Sequence, residues 1–219
     1  MGALFITFEG GEGAGKSTQI GLLKTALEQR GYTVIATREP GGTQKAETIR
    51  RMLLSGAVRH MGPYSEALMF FIARGDHVRE VIAPALEAGT IVLCDRFSDS
   101  TLVYQGIANG MDTDELRALE RVVIGDIRPD MTVILDVPEE VGLARVARRR
   151  AGTGKPDDRF EAENAAFHRR LREGFRQLAK REPGRCVLID STPPKEAVAA
   201  AILARVEERL AGGRRQTVE

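Results

Sequence analysis

With 219 residues, 42% apolar and 29% charged, the chain is long enough for one domain with a substantial core, and its composition excludes a disordered or fibrous protein. Lysine and arginine number 32 against 31 acidic residues, so a net charge of +1 provides no bulk attraction to nucleic acid or to an anionic membrane. No stretch reaches membrane-spanning length, the short apolar run at the start lacks the basic region of a signal peptide, and Ile6 stands where a myristoylation signal wants Ser or Thr, so a cytoplasmic protein is expected.

The first predicted strand, Phe5-Ile6-Thr7-Phe8, runs through Glu9 into Gly10-Gly11-Glu12-Gly13-Ala14-Gly15-Lys16-Ser17-Thr18. Gly10, four intervening residues and Gly15-Lys16-Ser17 satisfy the phosphate-loop pattern G-x-x-x-x-G-K-[ST]. Successive backbone N–H groups must curl around phosphate oxygens there, and side chains would obstruct both the turn and the approach, which accounts for the four glycines between positions 10 and 15. Lys16 can bring a positive charge to the β- and γ-phosphates, the Ser17 hydroxyl suits a Mg²⁺ shell, and the following helix adds the partial charge of its N-terminus.

Helical periodicity follows over 16–30, through Ile20, Leu23 and Leu27, and a second buried strand over 33–37. That strand empties into Arg38-Glu39-Pro40-Gly41-Gly42-Thr43, after which a helix carries Ile49, Met52 and Leu53. A long helix is predicted over about 65–86, bent or divided near Pro84. The third strand spans 90–94 and ends at Asp95-Arg96. Further on come a helix over 113–124, a strand over 131–135, a helix over 139–150, a loop-like segment over 151–159, a helix over 161–181, a strand over 186–189 and a helix over 197–210. The domain is placed at 1–211, with a lid at about 148–160 and a polar tail over 212–219. Five apolar strands alternating with helices predict an α/β fold with a doubly wound, parallel sheet, in which ligands bind beyond the carboxyl ends of the strands.

Several side chains fall at those ends. Asp95 stands where phosphate-loop proteins orient Mg²⁺, often through water; a helix cap for residues 98–105 is the other reading. Arg38 and Arg96 could fork onto the phosphate of a second substrate. Phe70 and Arg74, at i and i+4, share a helix face and could stack on a base and read its edge, whereas periodicity alone favours a core Phe70 beside a solvated Arg74. Arg148-Arg149-Arg150 is either a solvated helix end or a source of charge that closes over a γ-phosphate. Cys94 and Cys186 lack the paired spacing of a zinc or redox site and are expected as buried free thiols. His60, His77 and His168 are scattered, so they are expected as surface or helix histidines without a metal constellation.

Phe8-Glu9-Gly10 through Thr18, the run Thr37-Arg38-Glu39-Pro40-Gly41-Gly42-Thr43, and Asp95-Arg96-Phe97 with Ser100, Tyr104 and Gln105 together resemble thymidylate kinases of the bacterial type, over nearly the whole chain. This resemblance implies a P-loop nucleoside-monophosphate-kinase fold with a five-stranded parallel sheet flanked by helices, a lid, homodimerisation through helices, and phosphorylation of dTMP by ATP with Mg²⁺. It further implies that Gly10 to Thr18 cradle ATP, that Ser17 and Asp95 serve the metal, and that Glu12 lies near the dTMP sugar and the transferring phosphate. Lys16, Arg38 and Arg96 would contact phosphates, Phe70 would stack on thymine, Arg74 would read its edge, and Ser100, Thr101, Tyr104 and Gln105 would line the nucleoside pocket. The family also implies a cis peptide before Pro40. Because position 13 is glycine, the resemblance is to the design whose catalytic arginine sits in the lid; Arg149 is the first candidate, and the resemblance implies that Arg145 would lie against adenine. Phe97 stands where many members have tyrosine.

Other nucleoside monophosphates remain alternative acceptors. A GTPase switch would carry an Asn-Lys-x-Asp reader, but the only asparagines, Asn109 and Asn164, are followed by Gly110 and Ala165.

Overall fold

The computed structural model describes residues 2–151 and 159–213. β1 (Leu4–Glu9), β2 (Val34–Arg38), β3 (Ile91–Asp95), β4 (Met131–Asp136) and β5 (Cys186–Asp190) form one sheet in the order β2-β3-β1-β4-β5, every neighbouring pair parallel. The central strands β1, β3 and β4 are covered on both faces and are almost wholly buried apolar runs, whereas the expected burial of β2 and β5 is only partial: as edge strands they are exposed at Ala36, Arg38, Leu188 and Asp190. Around it lie α1 (Lys16–Glu28), α2 (Gln44–Leu54), α3 (Gly62–His77), α4 (Ala83–Glu87), α5 (Ser98–Thr101), α6 (Thr113–Ile124), α7 (Glu139–Ala151), α8 (Ala165–Arg181) and α9 (Lys195–Gly213).

Alternation along β1 divides the core. Leu4, Ile6 and Phe8 pack with Leu23 and Leu27 of α1 and Ile202 and Val206 of α9 on one face. Phe5 points the other way, to Ile82, Phe97 and Ile124, beside a cluster in which Ile134 meets Phe167, Leu171 and Phe175 of α8. Cys94 and Cys186 are buried free thiols within these layers, and burial pushes Cys186 up to about 12.

Three helices depart from the periodic reading by three residues or more. α8 begins at Ala165 rather than 161 because the Asn164 side chain caps it, accepting a 2.9 Å hydrogen bond from the Phe167 N–H. The long helix starts at Gly62 and, as expected, is divided near Pro84, with α4 beginning at Ala83. A π-helical stretch over Val78–Ile82 absorbs the misfit, and Pro84 then sits in the first turn of α4, where a missing N–H costs little. α9 continues through Gly213, into the expected tail, whose remaining residues lie outside the described ones, as do residues 152–158 of the expected lid. No helix among the described residues is long and apolar enough to cross a membrane.

Candidate active site

The register brings three strand ends side by side: Phe8 pairs with Asp95, and Asp95 with Arg38. The loop after β1 turns through Gly10 (φ 133°), Gly13 (φ 68°) and Gly15 (φ 93°), and Gly15 precedes the first residue of α1. At Gly13 the requirement is double. The backbone is left-handed, and a Cβ would collide with the backbone of Gly142 on α7, while a Cβ at Gly142 would strike the Glu12 carbonyl. The phosphate loop and α7 therefore touch backbone to backbone, and position 13 has no room for any side chain.

Lys16 is buried and donates through Nζ to the carbonyls of Gly10 and Gly11, both at 3.1 Å. Burial, then the Arg96 charge, lower its pKa, and neighbouring carboxylates offset part of this. Ser17 Oγ donates to Asp95 Oδ2 at 2.8 Å. The cap reading of Asp95 fails, because Phe97, without a side-chain bond, occupies the cap position of α5, while the Asp95 carboxylate meets Ser17 of the loop.

Opposite Lys16, Arg96 adopts φ 67°, a left-handed conformation that costs a non-glycine residue ~1–2 kcal/mol. The bond from its N–H to Phe8 O, at 2.9 Å, holds the backbone there. Its guanidinium donates to Gly10 O (3.1 Å), Ser100 Oγ (3.2 Å) and Glu12 Oε1 (2.5 Å), and lies 5.0 Å from the centre of the Tyr104 ring. Tyr104 Oη donates to the same Glu12 oxygen at 2.9 Å. Burial alone would raise the Glu12 carboxyl, but Arg96 first and Lys16 next overcome it and hold Glu12 at about 2. Behind this group, Glu9 accepts from the N–H groups of Phe97 (2.8 Å) and Ser100 (3.2 Å) and from Ser100 Oγ (2.6 Å). Burial and the nearby Asp99 push it up to about 7.

The wall formed by α3 corrects the solvated reading of Arg74. Arg74 is 1% exposed, its guanidinium 5.2 Å and 5.4 Å from the ring centres of Phe71 and Phe97. Nε donates to Glu39 Oε2 at 2.7 Å, and Nη2 donates to Phe97 O (3.2 Å) and Thr101 Oγ1 (3.0 Å). Its buried Nη1 has no partner among the described residues, and Arg74 lines the same cleft as Lys16, Arg96, Phe70, Ser100, Thr101, Tyr104 and Gln105. A buried donor left unmade costs ~1–3 kcal/mol, and Nη1 is the one guanidinium nitrogen of Arg74 to which the described residues supply no acceptor. Gln105 donates to Glu66 at 2.8 Å, and Glu66 also pairs with Arg159. The Glu39–Pro40 peptide is cis, as the family resemblance implied.

The remaining candidates lie at the rim. Arg38 is 56% exposed and donates to Glu47 at 2.9 Å. Arg149, at the end of α7, lines the cleft and donates to Glu161 at 3.0 Å, across the segment outside the described residues. Arg145 is not part of the main cleft. It donates to Ser191 O at 3.0 Å and approaches Gly13 O at 3.5 Å, tying the back of the phosphate loop to the turn after β5.

Sequence reading missed Glu39, His77, Glu66, Phe160 and Gly142 as shapers of this site. His77 lies on a helix, one of its two expected settings, but is fully buried at the end of α3, and Phe160 stacks edge-on against Tyr104 at 5.3 Å. Glu39 did stand inside a conspicuous motif, and a charged residue between a strand end and a proline was the available signal.

No group of three or more His, Cys, Asp and Glu that could hold a metal occurs among the described residues. A hydroxyl and one carboxylate do not suit zinc. They fit Mg²⁺, which keeps several waters and leans on substrate phosphates.

A parallel sheet in this order, a phosphate loop after its central strand and a cationic cleft beside it define a P-loop enzyme of the nucleoside-monophosphate-kinase class. A family model described as thymidylate kinase matches residues 8–202. Thymidylate kinases of Bradyrhizobium sp. (strain ORS 278) and Nitrobacter winogradskyi are 55% and 56% identical to this chain over 94% of its length, and the matches span 90% and 88% of their own. The crystal structure of thymidylate kinase from Ehrlichia chaffeensis is 33% identical and matches with a TM-score of 0.77, covering 94% of this chain and 100% of that one. The chain belongs to the thymidylate kinase family.

Proposed function

We propose that the cleft holds ATP along the phosphate loop and dTMP between α3 and the helix that follows Arg96, with the two phosphates meeting between Lys16 and Arg96. The reaction is phosphorylation of dTMP to dTDP with ATP as donor, the activity of the family to which the chain belongs. The observation that carries the assignment of residues is the convergence of Lys16, Arg96, Glu12 and the partnerless Nη1 of Arg74 on one cleft.

Catalysis here is positioning and charge neutralisation. Lys16 exchanges two backbone carbonyls for β- and γ-phosphate oxygens. Arg96, aimed by Gly10, Ser100 and Glu12, holds the dTMP phosphate so that one of its oxygens attacks the γ-phosphorus in line, and Arg38 leaves Glu47 to share that phosphate. Glu12 keeps Arg96 and Tyr104 in place beside the sugar. Phe70 offers a ring to the thymine, Arg74 reads its edge, and Ser100, Thr101, Tyr104 and Gln105 form the pocket wall. The remaining residues of the loop, Gly10 to Thr18, receive the ATP phosphates on their N–H groups, and Arg145 supports adenine from behind. Arg149 moves from Glu161 onto the transferring group, a role favoured by the lack of room for a side chain at Gly13. Ser17, and Asp95 through water, would hold Mg²⁺, which when bound neutralises the phosphate charge.

The fold acts as one kinase unit with a lid near 148–160, in the cytoplasm. It pairs with a second copy through α3, where Tyr64, Leu68 and Ile72, at i, i+4 and i+8, form an exposed apolar stripe.

Coupled release of ADP, with dTMP, dUMP, dCMP, dGMP and dAMP offered separately, tests the acceptor. Strong preference for dTMP is expected. ATP binding without turnover of any acceptor would overturn the placement of the second substrate.

A further inference from the structure

Glu39 and His77 have no part in the chemistry above, yet they are buried at 4% and 0% exposure in a hydrogen-bonded chain that ends on Arg74, a residue of the cleft wall. Glu39 uses both oxygens. Oε2 accepts from Arg74 Nε at 2.7 Å, and Oε1 accepts from His77 Nδ1 at 3.1 Å. A carboxylate only accepts, so His77 Nδ1 carries a proton, and Nε2 is left to meet Thr37 Oγ1 at 2.7 Å. The imidazole cannot turn away, because its other side is packed so closely on Gly42 that a Cβ there would lie 2.5 Å from the ring. From Thr37 to Arg74 there is thus one fixed chain of hydrogen bonds, and its end fixes the plane of the guanidinium. Nε and Nη2 are committed to protein acceptors, and Nη1 is the nitrogen left without one among the described residues.

We propose that Glu39 and His77 are positioning residues for pyrimidine selection, holding Arg74 so that the base must present a carbonyl, not an amino group, to Nη1. The inference rests on the proposed placement of dTMP. A guanidinium has donors only. Thymine and uracil carry an accepting oxygen at C4, whereas cytosine carries an NH₂ there, which would set donor against donor. Discrimination by that clash requires a guanidinium that cannot swing aside. The same contacts would otherwise serve only to fasten α3 to the end of β2, and that simpler role predicts a different kinetic signature.

The test is steady-state kinetics of the full chain with dTMP and dCMP, with thermal melting to establish that each variant is folded. For Glu39→Gln, KM for dTMP is expected to rise by about tenfold and the dTMP-to-dCMP ratio of kcat/KM to fall by about tenfold, with KM for ATP within about twofold of wild type. His77→Phe, which removes both ring nitrogens, should move the same two quantities in the same direction, and His77→Asn, which restores a donor to Glu39, should recover most of the loss. A folded Glu39→Gln variant with unchanged dTMP KM and base ratio would overturn the inference. So would one in which dTMP and ATP constants worsen together, the mark of a purely structural contact. If wild-type enzyme failed to prefer dTMP over dCMP, the placement of dTMP itself would fall, and the inference with it.

Discussion

Replacing Glu12 by Gln probes the electrostatics of the cleft without any substrate. Arg96 and Lys16 hold the Glu12 carboxyl at about 2 against an ordinary value of 4.5, in spite of burial. A carboxylate whose folded pKa is depressed adds stability that is complete above the unfolded pKa and is lost as pH falls through the folded one. A gap of about 2.5 corresponds to ~3 kcal/mol at about pH 6, of which ~1 kcal/mol remains at about pH 3. The side chain is only 16% exposed, so solvent screening discounts this little. Glutamine does not titrate. Whatever the substitution costs in packing, the difference in unfolding free energy between wild type and Glu12→Gln should therefore shrink by ~2 kcal/mol between those two pH values.

Urea unfolding followed by far-ultraviolet circular dichroism provides both numbers. A difference that stays constant across the pH range would mean that Glu12 is not held ionised by Arg96 and Lys16, and the picture of a carboxylate that aims Arg96 at the acceptor phosphate would fail with it. A difference that grows toward low pH would have the wrong sign altogether, and would place Glu12 among groups that burial keeps protonated.

Three further outcomes are expected. Lys16→Ala should lower turnover by at least ~10²-fold while the melting temperature stays near wild type, since a phosphate-directed charge is lost from a loop held by backbone geometry; near-normal turnover would remove Lys16 from the mechanism. Gly13→Ala should cost ~1–3 kcal/mol in thermal or urea unfolding and raise KM for ATP, because the new Cβ forces the loop and Gly142 apart; an unchanged melting curve would show that α7 yields freely. Ile72→Glu should convert a dimer into monomers in analytical ultracentrifugation, and a wild-type chain that sediments as a monomer would refute pairing through α3.

What could be read in the chain and what could not divide along a physical line. The phosphate loop was legible because its function is carried by backbone N–H groups, and the requirement for glycine at fixed spacing is written directly into the string. The central strands were legible because burial on both faces leaves continuous apolar runs, and the half-exposed edge strands β2 and β5 were legible through their β-branched residues. Arg74 was not, because helical periodicity reports only which face of α3 it occupies. Whether an arginine on that face is solvated or buried depends on Glu39, 35 residues away on another element, and on the rings of Phe71 and Phe97 that enclose it. The start of α8 was misplaced for a related reason: periodicity extends through residues that could be helical, and a single side-chain bond from Asn164 decides where the first turn forms.

The same reasoning explains why the run from Arg38 to Thr43 is dense in special residues although little of it faces a phosphate. Glu39, the first residue after β2, must turn both oxygens inward, to Arg74 and His77. Pro40 is cis, its carbonyl accepting from Arg50 Nη1 at 2.7 Å, and Gly42 must leave space for the His77 ring. Thr43 then caps α2 by accepting from the Ala46 N–H at 3.0 Å, and its own hydroxyl donates to Asp76, one residue before His77. Each residue of the segment thus acts on α3 or on the entry to α2. Beyond Arg38, assigned above to the acceptor phosphate, its geometry serves the base end of the cleft, while the ATP phosphates are served by the loop after β1. Substitutions in the two motifs should therefore separate kinetically, the first through the acceptor and the second through ATP.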